Sequence, residues 1–227
     1  IAGFAGWLNC CGMIACAVAN AEQAVNQSSV RDEMYAIVAQ ESGRLERLTD
    51  DFLSFARQAE LQRRPTSLRT TLEYLAALIR PRAAGGKVLI AVECAVDQEV
   101  LLDAALIHQA LLNLAANALE ATPVGGTITL GAQSAADGCL ELFVTNSGSP
   151  IPAEVRARLF EPFFTTKSRG TGLGLAISRK IAREHGGDLQ LRQNEPDQVR
   201  FGLTLPCAAG ETQGQHEVSY GANSDRG

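Results

Sequence analysis

The sequence predicts an α+β fold: a helical hairpin followed by a two-layer α/β sandwich, with helices covering one face of a sheet. Three observations carry that expectation. An apolar seam runs through residues 31–58, where Met34, Val38, Leu45, Leu48, Phe52 and Phe55 recur at steps of four and three, broken by Glu41. Arg63-Arg64-Pro65 then closes the segment, because proline disfavours helical geometry in the residue before it. Beyond that boundary, helix-period and strand-period segments alternate, and the last two strand candidates are close enough to pair as a hairpin.

The seam of residues 31–58 is that of a helix packed lengthwise against other helices, although any amphipathic core helix would share it. Arg44, Glu46, Arg47, Asp50 and Asp51 occupy its remaining faces. Residues 12–26 have the length and alanine content of a first helix that could pair with it. After the boundary, Leu68, Leu72, Leu75 and Ile79 predict a helix over 67–80, and residues 87–93 a short strand. A helix over 103–121 opens at Asp103 as its N-cap. Strands are expected at 127–133 and 140–145, then a helix over 173–185 and strands at 188–192 and 200–205. The expected organisation is therefore a hairpin in 1–62, a sandwich domain in 66–206 and a disordered tail in 207–227, which has few large apolar residues.

Composition narrows the function. With 227 residues, 46% of them hydrophobic and 20% charged, the chain can build a sizeable core. A net charge of −5 and a pI near 5.3 argue against a nucleic-acid binder. The six cysteines form no C-x-x-C pair and no zinc-ligand spacing, so buried reduced thiols in a reducing cytoplasm are expected. The chain starts at Ile1 rather than methionine, which suggests a fragment or a processed chain. Residues 1–21 carry no charge, which raises a membrane-spanning reading. Three glycines, two asparagines and three cysteines make the run only mildly apolar.

Three segments carry candidate chemistry. Asn113 and Asn117 lie four apart and share a helix face. They are either satisfied core amides or oxygen ligands for Mg²⁺ beside a nucleotide. Gly170-Thr171-Gly172-Leu173-Gly174-Leu175 opens a helix, where glycines allow close approach and free N–H groups favour phosphate. It matches neither a P-loop nor a dinucleotide fingerprint. Between them, Leu159-Phe160-Glu161-Pro162-Phe163-Phe164-Thr165-Thr166-Lys167 combines an aromatic anchor with a polar, basic end. It is a plain surface loop or a mobile one closing over a nucleotide, with Lys167 or Arg169 reaching phosphates.

In order, Asn113-x-x-x-Asn117-Ala118, Asn146-Ser147-Gly148, Phe160-Glu161-Pro162-Phe163-Phe164 and Gly172-Leu173-Gly174-Leu175 closely resemble the N, G1, F and G2 boxes of two-component sensor histidine kinases. The resemblance covers residues 67–206, and residues 44–57 resemble the second helix of the family's dimerisation hairpin. It implies an ATP-binding catalytic domain with ATP and Mg²⁺ as cofactors. It also implies a histidine that accepts the γ-phosphoryl group and a response-regulator receiver domain as partner. A homodimer through the hairpin, no nucleic acid, and a place at the cytoplasmic face, with the full-length protein anchored in the inner membrane if a spanning segment lies at or before residue 21, complete the expectation. By position, Asn117 ligates Mg²⁺ and Asn113 supports it. Asn146 and Gly148 meet the adenine, and Phe160 and Phe163 anchor the lid. Thr166, Lys167, Gly170, Thr171, Gly172, Leu173 and Gly174 line the nucleotide, with Asn117 and Lys167 as the catalytic pair. A chaperone- or gyrase-type ATPase would need a glutamate ahead of the asparagines, and residues 106–110 offer none.

Two departures from the family pattern stand out. Where the family has an aspartate that accepts the adenine amino group, this chain has Asn146. An amide still accepts that bond, without charge assistance, so weaker ATP binding is expected. The acceptor histidine is also missing. Counting back roughly fifty residues from Arg57, a loose spacing, lands near residues 3–10, which hold none. The three histidines are His108, His185 and His216. Either the first hairpin helix is degenerate, or the true one lies upstream, or residues 1–21 span a membrane. The first is preferred, and it leaves a nucleotide-binding pseudokinase as the alternative to an autophosphorylating kinase.

Overall fold

The computed structural model describes residues 12–18, 28–56, 60–135, 138–167 and 170–206. The expected tail, the uncharged start up to residue 11 and Arg169 lie outside the described residues. Helix α1 covers 12–18 and α2 covers Ser28–Ala56. Residues 19–26 of the expected first helix lie outside the description. Then follow β1 (Arg64–Thr66), α3 (Leu68–Ala84), β2 (Leu89–Cys94), β3 (Val100–Leu102) and α4 (Ala104–Ala121). The chain continues through β4 (Thr127–Ser134), β5 (Cys139–Asn146), α5 (Ala153–Arg156), α6 (Gly174–Glu184), β6 (Asp188–Glu195) and β7 (Gln198–Pro206).

A five-stranded sheet runs in the order β2-β4-β5-β7-β6, parallel between β2 and β4 and antiparallel elsewhere. Strand alternation decides which face is covered. Ile128, Leu130 and Ala132 of β4, Leu140, Leu142 and Val144 of β5, and Val199, Phe201, Leu203 and Leu205 of β7 are all buried in one core. Onto them pack Leu68, Leu72, Leu75 and Ile79 of α3, Ile107, Leu111 and Leu114 of α4, and Ile177 and Ile181 of α6. The result is the two-layer sandwich that the sequence predicted. On the opposite face, Phe143 lies across Gly131, whose missing side chain makes room for the ring, and the Arg200 guanidinium sits 3.5 Å above that ring.

The expected elements recur with shifted ends. Helix α3 runs past Pro81 to Ala84, beyond the expected stop at residue 80. Strands β1 and β3 were not expected. Each has three residues, and they pair antiparallel, with Pro65 opposite Leu101. A two-stranded ribbon has an edge that tolerates proline's missing N–H.

Asp103 caps α4 as expected, its Oδ1 accepting from the Ala105 and Leu106 N–H groups. Its Oδ2 also accepts from the Gln62 N–H, and this ties the inter-segment boundary to the sandwich.

Buried thiols were expected, but Cys16 is exposed and Cys94 and Cys139 are half-buried. Strand ends and a short helix leave one flank of each residue in water. Among the described residues, no helix is long and apolar enough to cross a membrane. Glu41, the one charge in the α2 seam, is buried and lies 3.6 Å from Arg44. Tyr35, Phe52 and Leu53 of α2 are exposed.

Candidate functional site

Helix α4 sets the floor of the site. Its Ile107, Leu111, Leu114 and Ala118 face the core, so the helical repeat leaves Asn113 and Asn117 half-buried on an adjoining face. Their amides have different tasks. The Asn113 Nδ2 donates to the Gly174 carbonyl at 3.3 Å, which joins α4 to the glycine-rich start of α6. Ser178 reinforces that joint, its hydroxyl donating to the carbonyls of Gly174 at 2.9 Å and Ala110 at 3.2 Å. Asn117 turns its oxygen to the loop, where the Lys167 Nζ donates to Oδ1 at 2.7 Å. The same ammonium pairs with Glu120 Oε2 at 2.6 Å.

The loop between α5 and α6 is anchored by its aromatic residues. Phe160 and Phe163 pack against the core, and the Arg179 guanidinium stacks 4.8 Å from the Phe160 ring. Arg179 is itself held by Asp188 through bonds of 2.8 and 3.0 Å. Those bonds, chiefly from Arg179, hold the Asp188 carboxyl well below the usual carboxylate range. Phe163 takes a positive φ of 66° and donates its N–H to the Gly172 carbonyl at 2.9 Å. Gly172 is also left-handed, with φ +71°, and a β-carbon there would come within 2.5–2.8 Å of the Phe163 main chain. The two turns of the loop close on each other only because residue 172 has no side chain. Beyond this clasp, the Lys167 N–H donates to Thr165 Oγ1 at 3.1 Å, and Thr166 is exposed. The Leu173 side chain is wholly buried in the core, so only its main chain faces the loop, where its N–H donates to Thr171 Oγ1 at 3.3 Å. Gly170 donates its N–H to the Lys167 carbonyl at 3.3 Å.

The other wall is the end of β5. Asn146 is 4% exposed, and Gly148, also buried, accepts the Asp197 N–H at 3.0 Å. Glu120, Ala121, Gly148, Ser149, Pro150 and Asp197 border an open pocket of about 350 Å³. The structure thus joins Asn117 to Lys167, Asn113 to Gly174, Phe163 to Gly172, and Asn146 to Gly148.

Three contributors escaped the sequence reading. Glu120 carried a usable signal, since it follows Asn117 by three residues and so shares its helix face. Asp51 and Lys180 carried none. Thr171 Oγ1 donates to Asp51 Oδ2 of α2 at 2.8 Å, across 120 residues of sequence. Lys180 Nζ donates to the carbonyls of Phe55 at 2.9 Å and Ser54 at 3.4 Å.

His185 is not placed to accept a phosphoryl group. The Asp103 N–H donates to His185 Nε2 at 3.1 Å, so Nδ1 carries the proton that it gives to the Ile181 carbonyl at 2.8 Å. Both ring nitrogens are committed inside the core. His108 is half-buried, its ring 5.2 Å from that of Tyr74.

Residues 102–209 match the family model described as histidine kinase-, DNA gyrase B-, and HSP90-like ATPase. The sensor histidine kinase ZraS of Escherichia coli O157:H7 is 32% identical over 176 residues, covering 77% of this chain and 38% of ZraS. The chain spans less than half the length of such relatives. Among solved structures, full-length ShkA in complex with AMPPNP aligns with a TM-score of 0.69 at 28% identity, over 82% of this chain and 40% of ShkA. The nucleotide-free catalytic domain of the histidine kinase ThkA is 34% identical, with a TM-score of 0.59, over 66% of this chain and 97% of that domain. ThkA in complex with the response regulator TrrA aligns over 88% of this chain and 58% of the kinase chain, with a TM-score of 0.74 and 28% identity. With the four boxes in order, the glycine clasp of the loop and an alignment over 97% of a solved catalytic domain, the chain belongs to the histidine kinase-, DNA gyrase B- and HSP90-like ATPases, and within them to the sensor histidine kinases of two-component systems.

Proposed function

We propose that the sandwich binds ATP with Mg²⁺ and delivers the γ-phosphoryl group to a histidine, from which a response-regulator aspartate takes it. The observation that carries this reading is the seat of Lys167. Its ammonium rests on Asn117 Oδ1 and Glu120 Oε2, so oxygen donors from the helix and a cation from the lid already meet there. The Asn117 oxygen fits a hard divalent ion, which takes oxygen ligands and keeps water and phosphate around it. Asn117 would hold Mg²⁺, whose charge offsets that of the phosphates, and Asn113 keeps α4 registered with α6.

Lys167 has the reach and charge to follow the γ-phosphoryl group, and the main chain of 170–174 supplies donors at a helix start. Asn146 and Gly148 serve the base, while Phe160 and Phe163 secure the lid. Such a transfer depends mainly on position and charge neutralisation. The imidazole nitrogen attacks phosphorus, the bond to the β–γ bridging oxygen breaks, and ADP leaves.

The domain division belongs to the same proposal: 1–62 as a dimerising hairpin, 66–206 as the catalytic unit and 207–227 as a tail. The exposed Tyr35, Phe52 and Leu53 of α2 support a homodimer. Attachment at the cytoplasmic face of a membrane extends this reading to a longer sensor protein.

One observation favours a second reading. Neither α1 nor α2 contains a histidine, and both ring nitrogens of His185 are spent. A nucleotide-binding pseudokinase would look the same. Incubation of the protein with γ-labelled ATP, with and without an added histidine-bearing hairpin, separates the two. Label on the added hairpin, lost in Asn117→Ala, is the expected result. Nucleotide binding with no label on either polypeptide would establish the pseudokinase, and absence of Mg²⁺-dependent ATP binding would defeat both.

A further inference from the structure

Asn146 is the most deeply buried side-chain amide of the site, and its Nδ2 has no hydrogen-bond partner among the described residues. An unmade donor in such a place is costly, and proteins rarely leave one without a use. A β-carbon on Gly148 would come within 2.7 Å of this nitrogen and 2.8 Å of the Ala121 carbonyl oxygen. The bare glycine therefore keeps the approach to the amide open, beside the pocket that Gly148 and Ala121 line.

An ionised carboxylate only accepts hydrogen bonds, whereas an amide both accepts and donates. The Watson–Crick edge of adenine offers a donor, its 6-amino group, beside an acceptor, N1. A 6-oxopurine offers the reverse, an acceptor oxygen beside an N1–H donor. The Asn146 amide matches either edge by turning over about its terminal bond, which exchanges its donor and acceptor atoms. A carboxylate offers no donor: facing position 6 it accepts from the 6-amino group and repels the 6-oxo oxygen.

We propose that Asn146 makes the base site indifferent to the purine 6-substituent, so that the domain binds 6-oxopurine nucleoside triphosphates alongside ATP. This rests on the reading in which Asn146 faces the base.

The test is competition between a fluorescent ATP analogue and either ATP or inosine triphosphate, with Mg²⁺, for the native protein and Asn146→Asp. Inosine triphosphate is the right probe because it differs from ATP only at position 6 and N1. Dissociation constants within about fivefold of each other in the native protein, spread by a further tenfold or more in Asn146→Asp, are expected, since a mismatched buried hydrogen-bonding group has at least that effect on selectivity. A native preference for ATP above about thirtyfold that Asn146→Asp leaves unchanged would overturn the inference and leave the ATP site intact. Failure of both nucleotides to bind would overturn the site reading and this inference together. If Asn146→Asp does not fold, the native ratio decides alone.

Discussion

Replacing Glu120 with glutamine should tighten ATP binding. The Lys167 ammonium lies 2.6 Å from Glu120 Oε2 and 2.7 Å from Asn117 Oδ1. To reach a γ-phosphate it must leave the carboxylate, so the ion pair opposes binding by whatever it is worth. The Lys167 and Glu120 side chains are 41% and 56% exposed, and pairs this accessible contribute about 0.2–1 kcal/mol. Releasing the lysine should therefore lower the dissociation constant by a factor of about 1.4–5. Titration of the native protein and Glu120→Gln with ATP and Mg²⁺ measures this directly. The gain should shrink at about 0.5 M salt, where exposed pairs are screened. It should also vanish when Lys167→Met is present in both proteins, because the pair is then already absent. Weaker binding in Glu120→Gln, or an equal gain without Lys167, would refute the reasoning: Glu120 would then act on the metal or on the overall field, not through the lysine.

Two further outcomes follow from the geometry. Gly172→Ala forces a side chain into left-handed backbone and against the Phe163 main chain, so about 3 kcal/mol of stability should be lost; calorimetry should show a melting point lower by about 6–12 °C, and a change under about 2 °C would dismiss the clasp. Asp188→Asn removes a carboxylate whose pKa is depressed in the folded state, mainly by the Arg179 hydrogen bonds. Its contribution is fully present above the unfolded value near 4, about 1 kcal/mol after solvent screening, and fades as pH falls towards the lower folded value. Urea melts of the two proteins should therefore differ at pH 7 and converge in acid, whereas a pH-independent gap would show that the carboxylate acts by packing alone.

Much of the architecture was legible because burial is periodic. Leu68, Leu72, Leu75 and Ile79 announce the buried face of α3, and all four are in the core. Asp103 announces the start of α4 by the chemistry of capping. The ribbon of β1 and β3 was not legible, since three-residue strands show no alternation and Pro65 argues against one. The half-buried cysteines were misjudged for a similar reason: an apolar neighbourhood in sequence does not say which flank of a strand end meets solvent.

By itself the sequence determined the family, the order of the four boxes and the residues that could serve a nucleotide, because each box is a local pattern of residue types at short spacing. It also showed that residues 3–10, where the loose family spacing would place the acceptor, hold no histidine. Only the tertiary structure decided how those residues are used. It turned Asn113 to the Gly174 carbonyl and Asn117 to Lys167, brought Glu120 into the same cluster, buried the Leu173 side chain, and linked Thr171 to Asp51 across 120 positions. It also left the Asn146 Nδ2 without a partner among the described residues. The reason is physical: a side chain's hydrogen-bond partner depends on where distant segments meet once the core has packed, and short-range spacing carries no record of that meeting.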